Sequence, residues 1–147
     1  MFNEIETRVM LVENHRLLRK ELRRSIELDK KIEVVAELDN GQVAIESIEK
    51  YNPDIIFMDI NMPVLDGIEA SKQIIKNNPK IKIITLSMHQ DINYLRHMLN
   101  AGVSGYMLKT CSGRDMSEAV KTVRAGQKYF CPEILDLIDK YKIEFKN

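Results

Sequence analysis

The 147-residue chain lacks the features that mark several large classes of protein. It has neither an apolar run of about 18 residues nor a signal peptide, so we expect no membrane segment and a cytoplasmic location. Lysine plus arginine and aspartate plus glutamate both number 22, so no net charge draws the chain toward nucleic acid or anionic lipid. With 44% apolar and 30% charged residues, the composition is typical of one globular domain.

Cysteine and histidine are also scarce. Cys111 and Cys131 are the two cysteines; they form no Cys-x-x-Cys pair, and the three histidines are scattered. This spacing argues against a structural zinc site, and disulfides are rare in cytosolic proteins. We therefore expect two ordinary thiols.

Short apolar runs alternate with helical patterns five times along the chain. The predicted strands are 9–12, 32–38, 55–58, 81–86 and 103–108, and the predicted helices are 16–28, 42–51, 65–77, 92–100 and 112–125. In the first helix we assign Leu17, Leu18, Leu22 and Ile26 to the inner face. The alternation predicts an α/β fold, a (βα)5 doubly wound, five-stranded parallel sheet with helices on both faces. Residues 132–141 predict a further, short helix in a C-terminal tail.

Polar residues follow four of these predicted strands. Glu13 and Asn14 follow the first, Asp59 ends the third, Ser87 ends the fourth and Lys109 ends the fifth. The carboxyl ends of parallel strands meet at one edge of the sheet, where α/β proteins bind their ligands. We expect these side chains to form one polar cluster.

The segment 57–67 is the most informative part of the cluster. An apolar run ends abruptly in Asp59, and Pro63 and Gly67 follow it, which is typical of a buried strand that presents one carboxylate before a tight turn. A carboxylate beside other oxygen ligands suits Mg²⁺, and a cation with a lysine can neutralise a phosphoryl group. Asp59 is then a nucleophile that forms an acyl phosphate. No general base for an attacking water is evident, so the pattern favours phosphoryl transfer onto Asp59 over hydrolysis.

Four stretches, 10–15, 57–67, 84–89 and 101–109, resemble the receiver domain of two-component response regulators. The resemblance covers about residues 8–130 and is strongest to the NarL/FixJ-type subgroup. It implies a flavodoxin-like or CheY-like fold, Mg²⁺ as cofactor and a sensor histidine kinase as partner.

The resemblance also implies roles for individual residues. It makes Asp59 the phosphoacceptor, Lys109 and Ser87 the groups that engage the phosphoryl oxygens, and Tyr106 a switch aromatic. Metal ligands would come from Glu13, Asn14, Asp59 and the backbone carbonyl of Asn61. Thr85 competes with Ser87 as the hydroxyl, and we prefer Ser87 because it ends the strand.

One position departs from the family pattern. Receiver domains usually carry two acids after the first strand, whereas Glu13-Asn14 stands here. Mg²⁺ tolerates a poor ligand cage badly, so we expect weakened Mg²⁺ binding. The alternative is a pseudo-receiver that acts by protein–protein contact without phosphorylation. A third reading, an Asp59-dependent phosphohydrolase, lacks the second acid usual two residues on, where Asn61 stands.

The resemblance implies a division of the chain and a set of partners. We assign residues 1–128 to the receiver domain and 129–147 to a linker and helical tail. The apolar stripe of the tail packs either on its own domain or on a partner, and an unpaired stripe slightly favours the partner. A homodimer would use either the face of the fourth helix, fifth strand and fifth helix, or the first and fifth helices. DNA would be bound only through a helix-turn-helix domain absent from this chain. We expect a role in signal transduction that regulates transcription. We expect no enzyme activity beyond slow self-phosphorylation and dephosphorylation.

Overall fold

The computed structural model describes residues 4–145. Its strands are β1 Thr7–Val12, β2 Ile32–Leu38, β3 Ile55–Asp59, β4 Lys82–Ser87, β5 Gly105–Leu108 and β6 Tyr129–Phe130. Its helices are α1 Arg16–Ile26, α2 Gly41–Tyr51, α3 Gly67–Asn77, α4 Ile92–Ala101, α5 Gly113–Arg124 and α6 Pro132–Tyr141. The five predicted strand–helix pairs and the tail helix are confirmed, with small differences at their ends.

All strands are parallel and lie in the order β2-β1-β3-β4-β5-β6. The prediction of five strands is wrong, because β6 adds a sixth beyond β5 through the pairs Gly105–Tyr129 and Tyr106–Phe130. A strand of two residues is too short to show a period in the sequence, and it falls in the segment assigned to a linker.

Helices cover both faces of the sheet, as the doubly wound prediction requires. Alternate residues of β3 point to opposite sides, so that Ile55 and Phe57 pack with α1 and α5 while Ile56 and Met58 pack with α2, α3 and α4. Both layers are apolar, which explains why the β3 pattern is a continuous hydrophobic run.

The inner face predicted for α1 needs one correction. Leu22 and Ile26 are buried and Leu18 is partly buried, but Leu17 is 81% exposed. Leu18, Leu22 and Ile26 follow one another at intervals of four and so share a stripe, from which Leu17 is rotated by about 100°.

The tail packs on its own domain, so the slight preference for a partner surface is wrong. Ile134 and Ile138 of α6 are buried in the cluster that contains Phe130, and the rings of Phe130 and Phe145 meet edge-on at 5.0 Å. The predicted boundary between residues 128 and 129 stays a prediction, and residues 1–3 and 146–147 of the two predicted segments lie outside the described range. Within residues 4–145, no helix is both long and apolar enough to cross a membrane.

Candidate functional site

The carboxyl ends of β1, β3, β4 and β5 surround a small cleft of about 110 Å³. Its lining includes four of the predicted residues, Asp59, Asn61, Ser87 and Lys109. Glu13 lies directly behind it and is fully buried. The parallel sheet therefore brings together side chains that are far apart in the chain.

Lys109 joins the two buried carboxylates of this site. Its Nζ lies 2.6 Å from Glu13 Oε1 and 2.8 Å from Asp59 Oδ1, and its side chain is 3% exposed. The backbone N–H of Lys109 donates to the Ser87 carbonyl, which ties the end of β5 to the end of β4. One ammonium thus faces two carboxylates.

Glu13 divides its two oxygens between two partners. While Oε1 meets Lys109, Oε2 accepts hydrogen bonds from the His15 backbone N–H at 2.9 Å and contacts His15 Nδ1 at 3.0 Å. A carboxylate oxygen of Glu13, one of Asp59 and a ring nitrogen of His15 all lie within 4.8 Å of one another. No site role was predicted for His15, although its position directly after Glu13-Asn14, at the end of β1, could have suggested one.

Asp59 uses only one of its oxygens. Oδ1 forms the ion pair with Lys109 and accepts a hydrogen bond from the Ile60 backbone N–H, both at 2.8 Å, whereas Oδ2 is buried and has no hydrogen-bond partner among the described residues. Gly67 presses against the same residue from α3, because a Cβ there would lie 1.8 Å from the Asp59 carbonyl oxygen. The turn from 60 to 67 therefore needs glycine at this position to hold the Asp59 backbone.

The two carboxylates have opposite pKa shifts. Burial, assisted by the negative charge of Glu13, raises the pKa of Asp59 even though Lys109 acts against it. Burial also acts to raise the pKa of Glu13, but hydrogen bonds from His15 and Lys109 outweigh it and lower that pKa overall. A cation placed against Asp59 would therefore favour its ionised form.

Ser87, Thr85 and Tyr106 occupy different environments near the cleft. The Ser87 hydroxyl faces the cleft and donates to the His89 carbonyl at 2.9 Å, whereas Thr85 is fully buried inside β4 and does not line the cleft. Tyr106 is fully buried, and burial raises its pKa to about 12. The structure thus places Ser87 rather than Thr85 at the cleft and Tyr106 behind it.

The predicted ligands Asn14 and Asn61 differ in their positions, because Asn61 lines the cleft and Asn14 does not. Asn14 is exposed and does not line the cleft, and the Asn61 side-chain oxygen accepts a hydrogen bond from the Tyr94 hydroxyl at 3.1 Å. Asp59 Oδ2 has no hydrogen-bond partner among the described residues, and one carboxylate oxygen of Asp59 lies within 4.8 Å of one of Glu13. Two such oxygens suit a hard cation that prefers oxygen ligands. The acidic cluster of Glu13 and Asp59 could therefore bind a metal ion.

Comparison with known proteins agrees with this arrangement. A family model described as the response regulator receiver domain matches residues 9–121. The transcriptional regulatory protein DegU of Brevibacillus brevis is 40% identical over 141 residues, which cover 95% of this chain and 60% of that protein. This chain therefore spans less than two thirds of the length of that relative.

Two solved structures are similar over nearly their whole length. A two-component response regulator of the LuxR family from an Aurantimonas species superposes with a TM-score of 0.87 at 31% identity, covering 94% of this chain and 99% of that one. The isolated REC domain of RcsB from Salmonella enterica serovar Typhimurium, in the presence of the phosphomimetic BeF3⁻, gives 0.81 at 25% identity, covering 89% and 97%.

Proposed function

Because this chain belongs to the response regulator receiver domain family, we propose that it is a phosphorylation-controlled switch in which Asp59 accepts a phosphoryl group from a sensor histidine kinase. The observation that carries the proposal is Lys109, buried between Glu13 and Asp59 at 2.6 and 2.8 Å. A buried ammonium beside a carboxylate is placed to neutralise charge on a phosphoryl group as it arrives.

The two oxygens of Asp59 suggest how the transfer proceeds. Oδ1 is already occupied by Lys109 and the Ile60 N–H, so we assign the free Oδ2 as the nucleophile. A P–N bond of the donor phosphohistidine breaks as the P–O bond to Oδ2 forms, and the imidazole keeps the bonding electron pair. The product is an acyl phosphate whose new charge lies beside Lys109.

Glu13, Asp59 and the Asn61 backbone carbonyl would hold Mg²⁺ as the cofactor. When bound it would supply further neutralisation of the phosphoryl oxygens. Asn14 contributes at most a neutral oxygen and is exposed, so we propose that the site binds Mg²⁺ less tightly than a site with two acids.

Ser87 and Tyr106 connect the site to the rest of the molecule. The Ser87 hydroxyl would exchange its contact with the His89 carbonyl for a phosphoryl oxygen, which releases the loop after β4. Tyr106 lies on β5 and pairs with Thr85 on the neighbouring strand β4. Its ring is fully buried, so the surrounding packing holds it in place. Phosphorylation would then shift the population between two packings of the loop and α4.

The sixth strand affects which surface of the domain is free to form a homodimer. β6 pairs with the outer edge of β5, and α6 packs beside it, which leaves less of the face of α4, β5 and α5 free. On α1, by contrast, Leu17 is 81% exposed. We therefore favour the α1 and α5 surface for a homodimer that controls DNA binding through a separate domain, in the cytoplasm.

The test is intact-mass measurement after incubation with acetyl phosphate and Mg²⁺. The wild type should gain one phosphate and the Asp59→Asn variant none, while Asp66→Asn, which removes a carboxylate that caps α3, should still be labelled. Acid-stable label, or label that persists in Asp59→Asn, would refute Asp59 as the acceptor.

Light scattering before and after phosphorylation tests the dimer surface, where Leu17→Glu should prevent association without preventing labelling. The pseudo-receiver alternative is not favoured, since the chain belongs to the receiver domain family and its relative DegU is a transcriptional regulatory protein. Failure of the wild type to gain phosphate at any Mg²⁺ concentration would restore it.

A further inference from the structure

A second group of reactive side chains lies outside the Asp59 cleft. The two sulfurs of Cys111 and Cys131 and a carboxylate oxygen of Glu133 all lie within 4.8 Å of one another. Cys131 is buried, Cys111 is half-buried and Glu133 is exposed, so the group sits at the surface with one open side. The only two cysteines of the chain thus meet although 20 positions separate them.

The sixth strand brings these residues together. Because β6 pairs with β5, the Cys131 N–H reaches the Tyr106 carbonyl at 3.3 Å. Cys111 follows β5 in a turn closed by its own N–H to the Leu108 carbonyl at 3.1 Å. Glu133 stands in the first turn of α6, two residues after Cys131. The cluster therefore depends on tertiary pairing that no local motif signals.

We propose that Cys111, Cys131 and Glu133 form a binding site for a thiolate-preferring divalent cation, with Zn²⁺ as the natural candidate. Two thiolates and a carboxylate are ligands that Zn²⁺ accepts and Mg²⁺ does not select. Zinc–sulfur bonds of about 2.3 Å in a tetrahedron put the sulfurs roughly 3.8 Å apart, so the present spacing needs only a small adjustment. Both thiols release their protons to solvent as the metal binds, and water takes the fourth position on the open side.

Convergence of three ligand atoms favours a metal over a disulfide. A disulfide would join the two sulfurs alone, whereas a cation would also use the Glu133 carboxylate. A bound cation would instead tie the turn that follows Lys109 to the start of α6, and so hold β6 and α6 against the sheet. The site is independent of the proposed phosphorylation of Asp59.

The test uses the full chain with its cysteines reduced. Excess Mg²⁺ is present throughout to occupy sites made of oxygen ligands, and the protein is titrated first with Co²⁺ and then with Zn²⁺. One equivalent of Co²⁺ should produce thiolate-to-cobalt charge-transfer absorption that Zn²⁺ abolishes. Cys111→Ser and Cys131→Ser should each weaken binding by more than about 100-fold and Glu133→Gln by about tenfold. Asp136→Asn, which removes another exposed acid of α6, should change nothing.

A measurement on the unaltered chain guards against misfolded variants. Bound Zn²⁺ should slow alkylation of the half-exposed Cys111 at least tenfold and raise the thermal midpoint, and Asp59→Asn should preserve both effects. The proposal would be overturned if Co²⁺ gave no charge-transfer absorption, or if Zn²⁺ did not protect Cys111 from alkylation. It would also be overturned if the two cysteines oxidised to a disulfide, seen as a mass loss of two hydrogens, and the protein bound no metal after it was reduced again.

Discussion

Replacing Lys109 with methionine removes the cation that two buried carboxylates share. Glu13 is fully buried and Asp59 is 4% exposed, so neither can recover its charge stabilisation from water. At 2.8 Å and an effective dielectric constant of about 20, each ion pair contributes roughly 6 kcal/mol of Coulomb energy, much of which offsets the cost of burying the charges. Breaking such a group by removing one partner costs about 3–5 kcal/mol. We expect the variant to lose that much stability at neutral pH.

The loss should depend on pH in a defined direction. Without Lys109, the mutual repulsion and burial of the two carboxylates raise both pKa values in the folded state above those of the unfolded chain. A carboxyl with a raised folded pKa favours folding most when protonated, and this contribution is lost as the pH rises through the folded pKa. The stability difference between the wild type and Lys109→Met should therefore shrink as the pH falls toward about 4, where unfolded carboxyls titrate.

Urea denaturation followed by circular dichroism, at neutral and at acid pH, measures this difference. Lys128→Met is the control, because Lys128 is half-buried, whereas Lys109 is buried, and Lys128 donates to the Val103 carbonyl at 2.9 Å rather than to a carboxylate. Burial, assisted by the positive charge of the nearby Lys82, lowers the pKa of Lys128, and no acid outweighs these two effects. The control should cost about 1 kcal/mol at both pH values. The assignment of Lys109 as the shared counter-ion would be refuted if Lys109→Met lost less free energy of unfolding than the control. It would also be refuted if the loss in Lys109→Met stayed constant with pH.

Three further substitutions test the geometry around Asp59. Asn14→Asp should lower the Mg²⁺ concentration for half-maximal labelling by acetyl phosphate about tenfold, because it restores a second acid; equal Mg²⁺ requirements would contradict the weak-site hypothesis. Gly67→Ala should cost about 2–3 kcal/mol in a denaturant melt and slow labelling, since its Cβ would lie 1.8 Å from the Asp59 carbonyl oxygen. Val64→Gly should stabilise the fold by up to about 1 kcal/mol, because Val64 has a φ of 69° that a β-branched residue adopts with strain; an unchanged or lower denaturation midpoint would show that the turn is not strained there.

The sequence predicted the parts of this molecule that depend on local periodicity. The run from Ile55 to Met58 has to be a strand buried on both faces, and the spacing of Leu18, Leu22 and Ile26 has to be a helix with one inner stripe. Once the strands are parallel, their carboxyl ends share an edge, so the meeting of Asp59, Ser87 and Lys109 followed from the order of elements alone.

The features that sequence reasoning missed all depend on contacts between distant segments. β6 exists because Tyr129 and Phe130 find a free edge beside β5, and two residues carry no period that could announce it. The exposure of Leu17 was decided by which stripe of α1 met the sheet. The contact between His15 and Glu13 depended on the path of the chain as it leaves β1.

Asp59 was identifiable from the residues around it, but its chemical state was not. Its raised pKa, its free Oδ2 and its single cation arise from burial and from charges contributed by β1 and β5, which lie about 50 residues away on either side in the sequence. Local pattern therefore determined which elements form and which side chains reach the rim. Distances and desolvation, which exist only after the strands have paired, decided that one lysine serves two acids and that the two cysteines meet.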